Sequence, residues 1–392
     1  MKQKIKDSVS VINEKIKLQK NSTYNLYYTH GGFLLFQFLF TKLGLAEKDH
    51  DVFENKLINF LEHFQESKEV TFSEGISGNI WLLNYLIEMN LIEDLLPTIK
   101  EEVKDLLFLN SKNFNQITNY DFLHGSLGLL FVANSCEKLL GKKFVANLTA
   151  DFLKGLKSNE RGNYFNNWLS VFEVNKKVAD NTDINLSLSH GLPSVVIILS
   201  KINIPESKEI VGNILKLIKS YKSTTATLSL YPSVVKVGCE IEYKSRLAWC
   251  YGDIGVAFAF WQAGKIFNNE EWKEEAIQIM LHASKRRNLK ENLVVDAALC
   301  HGTSGLAHIF NRFYKETGIQ EFDKTRWYWL EQTFIKLEGE NNLENFKSFH
   351  GIKGWCLDVS LLDGTTGIGL AMLGFLTEDI EDLNWDKCLL LS

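Results

Sequence analysis

One short motif recurs seven times along the 392 residues, and it constrains the fold more than any other feature. A titratable residue precedes a glycine, and the glycine opens an apolar run that reads as a buried helix. The copies are His30-Gly31-Gly32, Glu74-Gly75-Ile76-Ser77-Gly78, His124-Gly125-Ser126-Leu127-Gly128, His190-Gly191-Leu192-Pro193-Ser194, Tyr251-Gly252-Asp253-Ile254-Gly255, His301-Gly302-Thr303-Ser304-Gly305 and Asp363-Gly364-Thr365-Thr366-Gly367. The lead glycines lie 44, 50, 66, 61, 50 and 62 residues apart, a spacing that marks a repeat architecture. The runs behind them, such as 79–86 and 256–261, are apolar nearly all round, as expected of helices buried on every side. The segments between motifs are amphipathic. Residues 101–109 carry apolar side chains at 103, 106, 107 and 109 among charges, and 270–281 behaves likewise, so both read as outer helices with one wet face. Only four prolines occur, which leaves long helices uninterrupted, and a 45% hydrophobic content supplies a large core. An outer helix, a loop and an inner helix form the unit. Seven units predict an all-α fold: a double-layered α/α toroid of helical-hairpin repeats, with the glycine-rich loops at one end of the inner helices, as a single domain over 1–392.

The glycines have a bland explanation in tight turns and close backbone approach. The residue just before each one does not share it. That row reads His30, Glu74, His124, His190, Tyr251, His301 and Asp363. If the motifs lie at one end of the fold, these side chains converge on a polar mouth.

Two copies carry a further signal. Trp249-Cys250-Tyr251-Gly252 and Cys300-His301-Gly302 place a cysteine two residues before the lead glycine in successive repeats, which a repeat fold makes neighbours. Cys250, Cys300 and His301 offer two thiolates and an imidazole, a donor set suited to one Zn²⁺. Three protein ligands leave a fourth position open, as in catalytic rather than structural zinc sites. Two thiolate donors suit that position to delivering a substrate thiolate more than to activating water. Cys239, eleven residues before Cys250, is an alternative fourth ligand that would close the site. His190 suits proton transfer near neutral pH. Asp121 has two readings, a helix N-cap or a carboxylate that orients His190. Arg246, in the apolar stretch before Cys250, needs a carboxylate or an anionic intermediate as partner. His282 and His308 read as structural or solvated, and Lys285-Arg286-Arg287 as a solvated helix end.

The formal charge of −5 argues against a nucleic-acid surface. Met1 to Asp7 is charged without an apolar core, and no run of eighteen uncharged apolar residues exists, so neither a signal peptide nor a membrane span is expected. Six sparse cysteines then read as reduced cytosolic thiols, serving metal or catalysis before disulfides.

Trp249-Cys250-Tyr251-Gly252, Cys300-His301-Gly302 and the glycine repeats together resemble the lanthionine synthetase C-like family, which includes stand-alone cyclases of class I lanthipeptide biosynthesis. The resemblance runs from about Gly31 to about Leu373. It implies the α/α toroid, one zinc ion on Cys250, Cys300 and His301, an acid/base pair of His190 and Asp121, and Arg246 and Tyr251 beside the metal. The implied reaction is intramolecular Michael addition of a cysteine thiol to dehydroalanine or dehydrobutyrine, closing a thioether ring. Implied partners are a dehydrated precursor peptide as substrate, a dehydratase and an exporter, in the cytoplasm and at the inner membrane face within a biosynthetic complex. The fourth repeat departs from the pattern with Pro193-Ser194, and the first with Gly31-Gly32 and no later glycine; both touch the loops around the mouth. Two alternatives stay open: a relative that adds glutathione to dehydrated residues, and a non-catalytic peptide- or thiol-binding relative. Ring-shaped glycosidases need paired central carboxylates, which two cysteines at equivalent positions fit poorly.

Overall fold

The computed structural model describes residues 1–17, 24–28, 30–45, 50–67, 69–167, 183–202, 204–236, 238–338 and 347–392. Its helices are α1 Lys2–Lys17, α2 His30–Lys42, α3 His50–His63, α4 Ile76–Glu88, α5 Lys100–Gln116, α6 Ser126–Ser135, α7 Glu137–Leu140, α8 Lys142–Leu153, α9 Leu192–Lys201, α10 Ser207–Lys219, α11 Asp253–Ile266, α12 Glu270–Ser284, α13 Thr303–Thr317, α14 Gln320–Glu338 and α15 Thr365–Leu373. Each of the seven motifs opens a helix: α2, α4, α6, α9, α11, α13 and α15. The chain groups into two compact units. The first comprises 1–68, 247–249 and 287–392, and the second 69–246 and 250–286.

In the first unit, α13 packs along α14, and α15 packs against α1, α2 and α13. Ile5, Val9, Ile12 and Ile16 form a buried apolar stripe of α1, three or four residues apart as helix geometry requires. Nearly all of α13 from Thr303 to Phe313 is buried. Asp386, from the C-terminal segment, accepts from His308 Nε2 of that helix at 2.8 Å and from its Arg312 Nη1 at 3.0 Å, so a fully buried carboxylate is held by two donors. In the second unit, α11 lies between α9 and α12, and α6 contacts α4, α5 and α8. α4 and α11 are buried on all faces, as their composition predicts. α5 departs from expectation in detail. Val103 and Leu107 are buried, but Phe108 and Leu109 face solvent. An α-helix cannot turn 103, 107 and 109 to one side, since 109 lies about 200° round from 107 at 3.6 residues per turn.

The Lys285-Arg286-Arg287 run is not simply a wet helix end. Arg286 is buried, with Nη1 3.0 Å from Asp253 Oδ2 and Nη2 donating to the Ser245 carbonyl at 2.6 Å. Asp253 also accepts the Leu230 and Tyr231 amides, so this carboxylate at the start of α11 ties three segments together. Three two-stranded antiparallel sheets among the described residues were not anticipated: β1 Lys157–Asn159 with β2 Gly162–Tyr164, β3 Ile184–Asn185 with β4 Val234–Val235, and β5 Lys347–Phe349 with β6 Trp355–Leu357. No helix among the described residues is long and apolar enough to cross a membrane.

The motif loops share one construction. The amide after the lead glycine returns to the carbonyl seven residues back: Ile76 to Glu69 (2.9 Å), Ser126 to Asn119 (3.0 Å), Thr303 to Asp296 (3.1 Å) and Thr365 to Asp358 (2.9 Å). The side chains at that earlier position brace the loop. Asn119, Asn185, Asp296 and Asp358 each accept the amide two residues on, at 3.3, 2.9, 3.0 and 2.6 Å. These are Asx turns, in which a short polar side chain imitates a backbone turn. The loop returns so tightly that a Cβ on Gly305 would stand 1.8 Å from the Leu299 carbonyl oxygen. Backbone on both sides cannot give way as a side chain can. Gly305→Ala is therefore expected to destabilise the protein by about 1–3 kcal/mol through overpacking. Thermal or urea denaturation of the purified variant checks it, and an unchanged midpoint would contradict this account of the loop.

Candidate functional site

In the second unit the loops before α6 and α9 bring Asp121 and His190 together. Asp121 Oδ2 lies 2.8 Å from His190 Nδ1, and Asp121 Oδ1 accepts the His124 amide at 2.7 Å. Asp121 does not cap α6, whose N-cap is Gly125 with no side-chain cap bond; one of its oxygens closes its own turn instead, and the other bonds the histidine of the next repeat. Its side chain is fully buried while His190 keeps partial access to solvent. The His190 amide is itself held by Ser187 Oγ at 3.1 Å. His124 stacks on His190 with ring centroids 5.8 Å apart, and its Nδ1 lies 3.1 Å from Ser73 Oγ. Burial first, then the nearby His190, lowers the His124 pKa against the pull of Asp121. Tyr251 stands on the far side, its ring centroid 6.4 Å from that of His190. Four members of the row before the lead glycines thus belong to this unit, and three of them stand ring to ring. Glu74, the fourth, is exposed but acts on the charge of His124.

Cys250 is buried in the same unit, and its carbonyl accepts the Leu188 amide at 3.1 Å. Gly252, just beyond, has φ of +84°, a left-handed conformation that favours glycine. A Cβ there would also come within 2.4 Å of the Arg246 carbonyl oxygen. Arg246 is half-buried and occupies the position that holds Asn119, Asn185, Asp296 and Asp358 in other repeats. An arginine cannot make the Asx turn, so here the brace has been given up and a cation put in its place.

In the first unit Cys300 and His301 precede α13. The Trp249 amide donates to the Cys300 carbonyl at 2.9 Å, and the Cys300 amide donates to the Leu362 carbonyl at 2.8 Å. His301 sits between two carboxylates, with Nε2 3.6 Å from Asp296 Oδ2 and Nδ1 3.4 Å from Asp363 Oδ1. Burial would raise the Asp296 pKa, but the His301 hydrogen bond and charge, with the Phe349 and Ala298 amides, bring it below the usual carboxylate range. Burial pushes the Asp363 carboxyl up. Cys300, His301 and Asp363 offer ligand atoms within 4.8 Å of one another, as Asp121, His124 and His190 do in the second unit. A thiol, an imidazole with a carboxylate on its other nitrogen, and a further oxygen donor are the chemistry of a zinc site and its outer shell. Cys239 is exposed. The side chain of His30 lies outside the described residues.

Asp296 and Asn119 are the site residues that sequence reasoning missed. The signal was present: six residues before every lead glycine stands Asn25, Glu69, Asn119, Asn185, Arg246, Asp296 or Asp358, a polar row as regular as the one before the glycine.

The geometry agrees with comparisons to known proteins. The model of the family described as lanthionine synthetase C-like protein matches residues 21–390. The nisin biosynthesis protein NisC of Lactococcus lactis subsp. lactis is 24% identical over 397 residues, covering 88% of this chain and 85% of that protein. The solved structure of nisin cyclase superposes with a TM-score of 0.72 at 17% identity, covering 100% of this chain and 97% of that one. The fold is accordingly mostly helical and of the nisin cyclase type, the α/α toroid that the repeats predict. A match over nearly the full length establishes that the chain belongs to the lanthionine synthetase C-like family.

Proposed function

We propose that this protein is a zinc-dependent lanthipeptide cyclase. It joins cysteine thiols to dehydroalanine or dehydrobutyrine within one precursor peptide, forming lanthionine or methyllanthionine rings. The observation that carries the proposal is the end-to-end match to nisin cyclase in a chain that keeps Cys250, Cys300 and His301 on consecutive motif loops. These three are the proposed zinc ligands. Cys300 and His301 fit the ion through the Asp296 brace, and Cys250 is the residue after Trp249, whose amide bonds to Cys300. When bound, the ion supplies Lewis acidity that favours ionisation of a peptide thiol.

The remaining chemistry falls to side chains. The sulfur forms a bond to the β-carbon of the alkene, and the π electrons move toward the α-carbon and the adjacent amide oxygen. Arg246 and Tyr251 stabilise that developing negative charge by hydrogen bonding. An arginine where four other repeats use a turn-bracing Asn or Asp fits such a task. His190 then delivers a proton to the α-carbon. Its Nδ1 faces Asp121, so Nε2 carries the transferable proton, and the carboxylate steadies the imidazolium form. The proton lost by the thiol balances the one gained at carbon, so peptide mass is unchanged. A dehydrated precursor peptide is the substrate, which requires a dehydratase acting beforehand; an exporter acting afterward, a cytoplasmic setting at the inner membrane face and a single domain spanning both units belong to the same proposal.

Incubation with a dehydrated, cysteine-containing peptide tests it. Alkylatable thiols are expected to disappear at constant peptide mass. A gain of glutathione mass in a glutathione-containing assay would replace the reading with glutathione addition. No enzyme-dependent thiol loss across several such peptides would leave a binding protein.

A further inference from the structure

The geometry points to a second divalent-cation site, formed by Asp121, His124 and His190, that binds Zn²⁺ more weakly than a cysteine-containing site and switches the enzyme off. The ligand atoms of these three side chains already lie within 4.8 Å of one another. Two imidazoles and a carboxylate suit zinc, cobalt or nickel, and three protein ligands leave the ion open to water. Each donor is fixed from behind. Asp121 is held by the His124 amide, His190 by the Ser187 hydroxyl through its own amide, and the His124 ring by Ser73 Oγ. A preset arrangement loses little freedom when an ion enters. The 2.8 Å between Asp121 and His190 Nδ1 need open only to about 3.3 Å, the span of two ligands at Zn–N and Zn–O distances of roughly 2.0–2.1 Å. Without thiolates, the site is the weaker of the two.

The regulatory part rests on the proton-donor role proposed for His190. A cation on the Asp121–His190 pair takes the nitrogen lone pair or the carboxylate that proton delivery uses. Zinc in excess of one equivalent would therefore inhibit the reaction that the first equivalent supports. His124 makes this possible, because a His–Asp pair alone offers only two ligands.

Calorimetric titration with Zn²⁺, run beside the thiol-loss assay, tests the site. Wild-type protein should bind a second, weaker equivalent, with activity falling at least about 10-fold as it fills. His124→Gln should weaken the second equivalent by about 10–100-fold or more, since even outer-shell partners carry that much affinity. Cys300→Ala should lose the tight equivalent and keep the weak one. Saturation at a single tight equivalent in wild-type protein, or an unchanged weak equivalent in His124→Gln, would overturn the site. A second equivalent that binds without slowing thiol loss would overturn the inhibition. Absence of a tight equivalent in wild-type protein would instead count against the cyclase reading, and the His124→Gln comparison would still judge this site.

Discussion

Cys300→Ala is expected to leave the purified protein with little bound zinc and to reduce ring formation by about 1,000-fold or more. Loss of an outer-shell partner of a metal ligand costs about 10–100-fold in affinity or activity, and loss of a ligand itself costs more. The structure supplies that lesser perturbation in the same place. Asp296 lies 3.6 Å from His301 Nε2 and is held by the Ala298 and Phe349 amides, so Asp296→Ala should fall in the 10–100-fold range. Metal content by atomic absorption, with activity after zinc is added back, orders the two variants. Asp363 makes the comparison sharper. Its carboxylate reaches the same cluster, 3.4 Å from His301 Nδ1, and it would be a ligand if the proposed set were wrong. Cys250→Ala should therefore strip zinc as Cys300→Ala does, while Asp363→Asn should retain it. The reverse result would replace Cys250 by Asp363. Cys388→Ala, at a buried cysteine outside the motif register, should keep the metal whatever it does to stability.

The two rows that carry this chemistry differ in how far they could be read from the sequence. Positions one and two before each lead glycine were legible because the glycine marks its own register, and histidine or cysteine beside it is conspicuous. The row six positions back was equally regular, yet Asn, Asp and Glu in loops are commonplace, and only the backbone geometry shows that they brace the turns. Arg246 was noticed as a lone cation in an apolar stretch. That it replaces a turn-bracing residue became visible only when the other loops were laid beside it. Arg286 was misread for a different reason. Its partner Asp253 is 33 residues away, and a charge at a helix end looks solvated until tertiary pairing is known. The inner helices followed from composition because burial on every side needs no phase. The amphipathic α5 did need one, and counting apolar residues without turning the helix placed Leu109 on the wrong face. The small sheets, two or three residues per strand, are too short to leave a periodic signal.

His190→Ala should retain its tight zinc and lose about 10²–10⁴-fold in ring formation, the range that positioned acid–base groups contribute. The argument runs through the partner. A buried carboxylate 2.8 Å from one imidazole nitrogen fixes the ring and leaves the other nitrogen to carry the mobile proton. Asp121→Asn should then act through His190. The amide preserves the shape and can still accept the His124 amide, but it no longer supplies the charge that steadies an imidazolium. Its loss in ring formation should be smaller than that of His190→Ala, with the tight zinc retained. The double variant tests that dependence. If the two residues work as one device, removing both costs little more than removing His190 alone. Additive losses would mean that Asp121 serves the reaction by some other route, and full activity in His190→Ala would remove the pair from the mechanism.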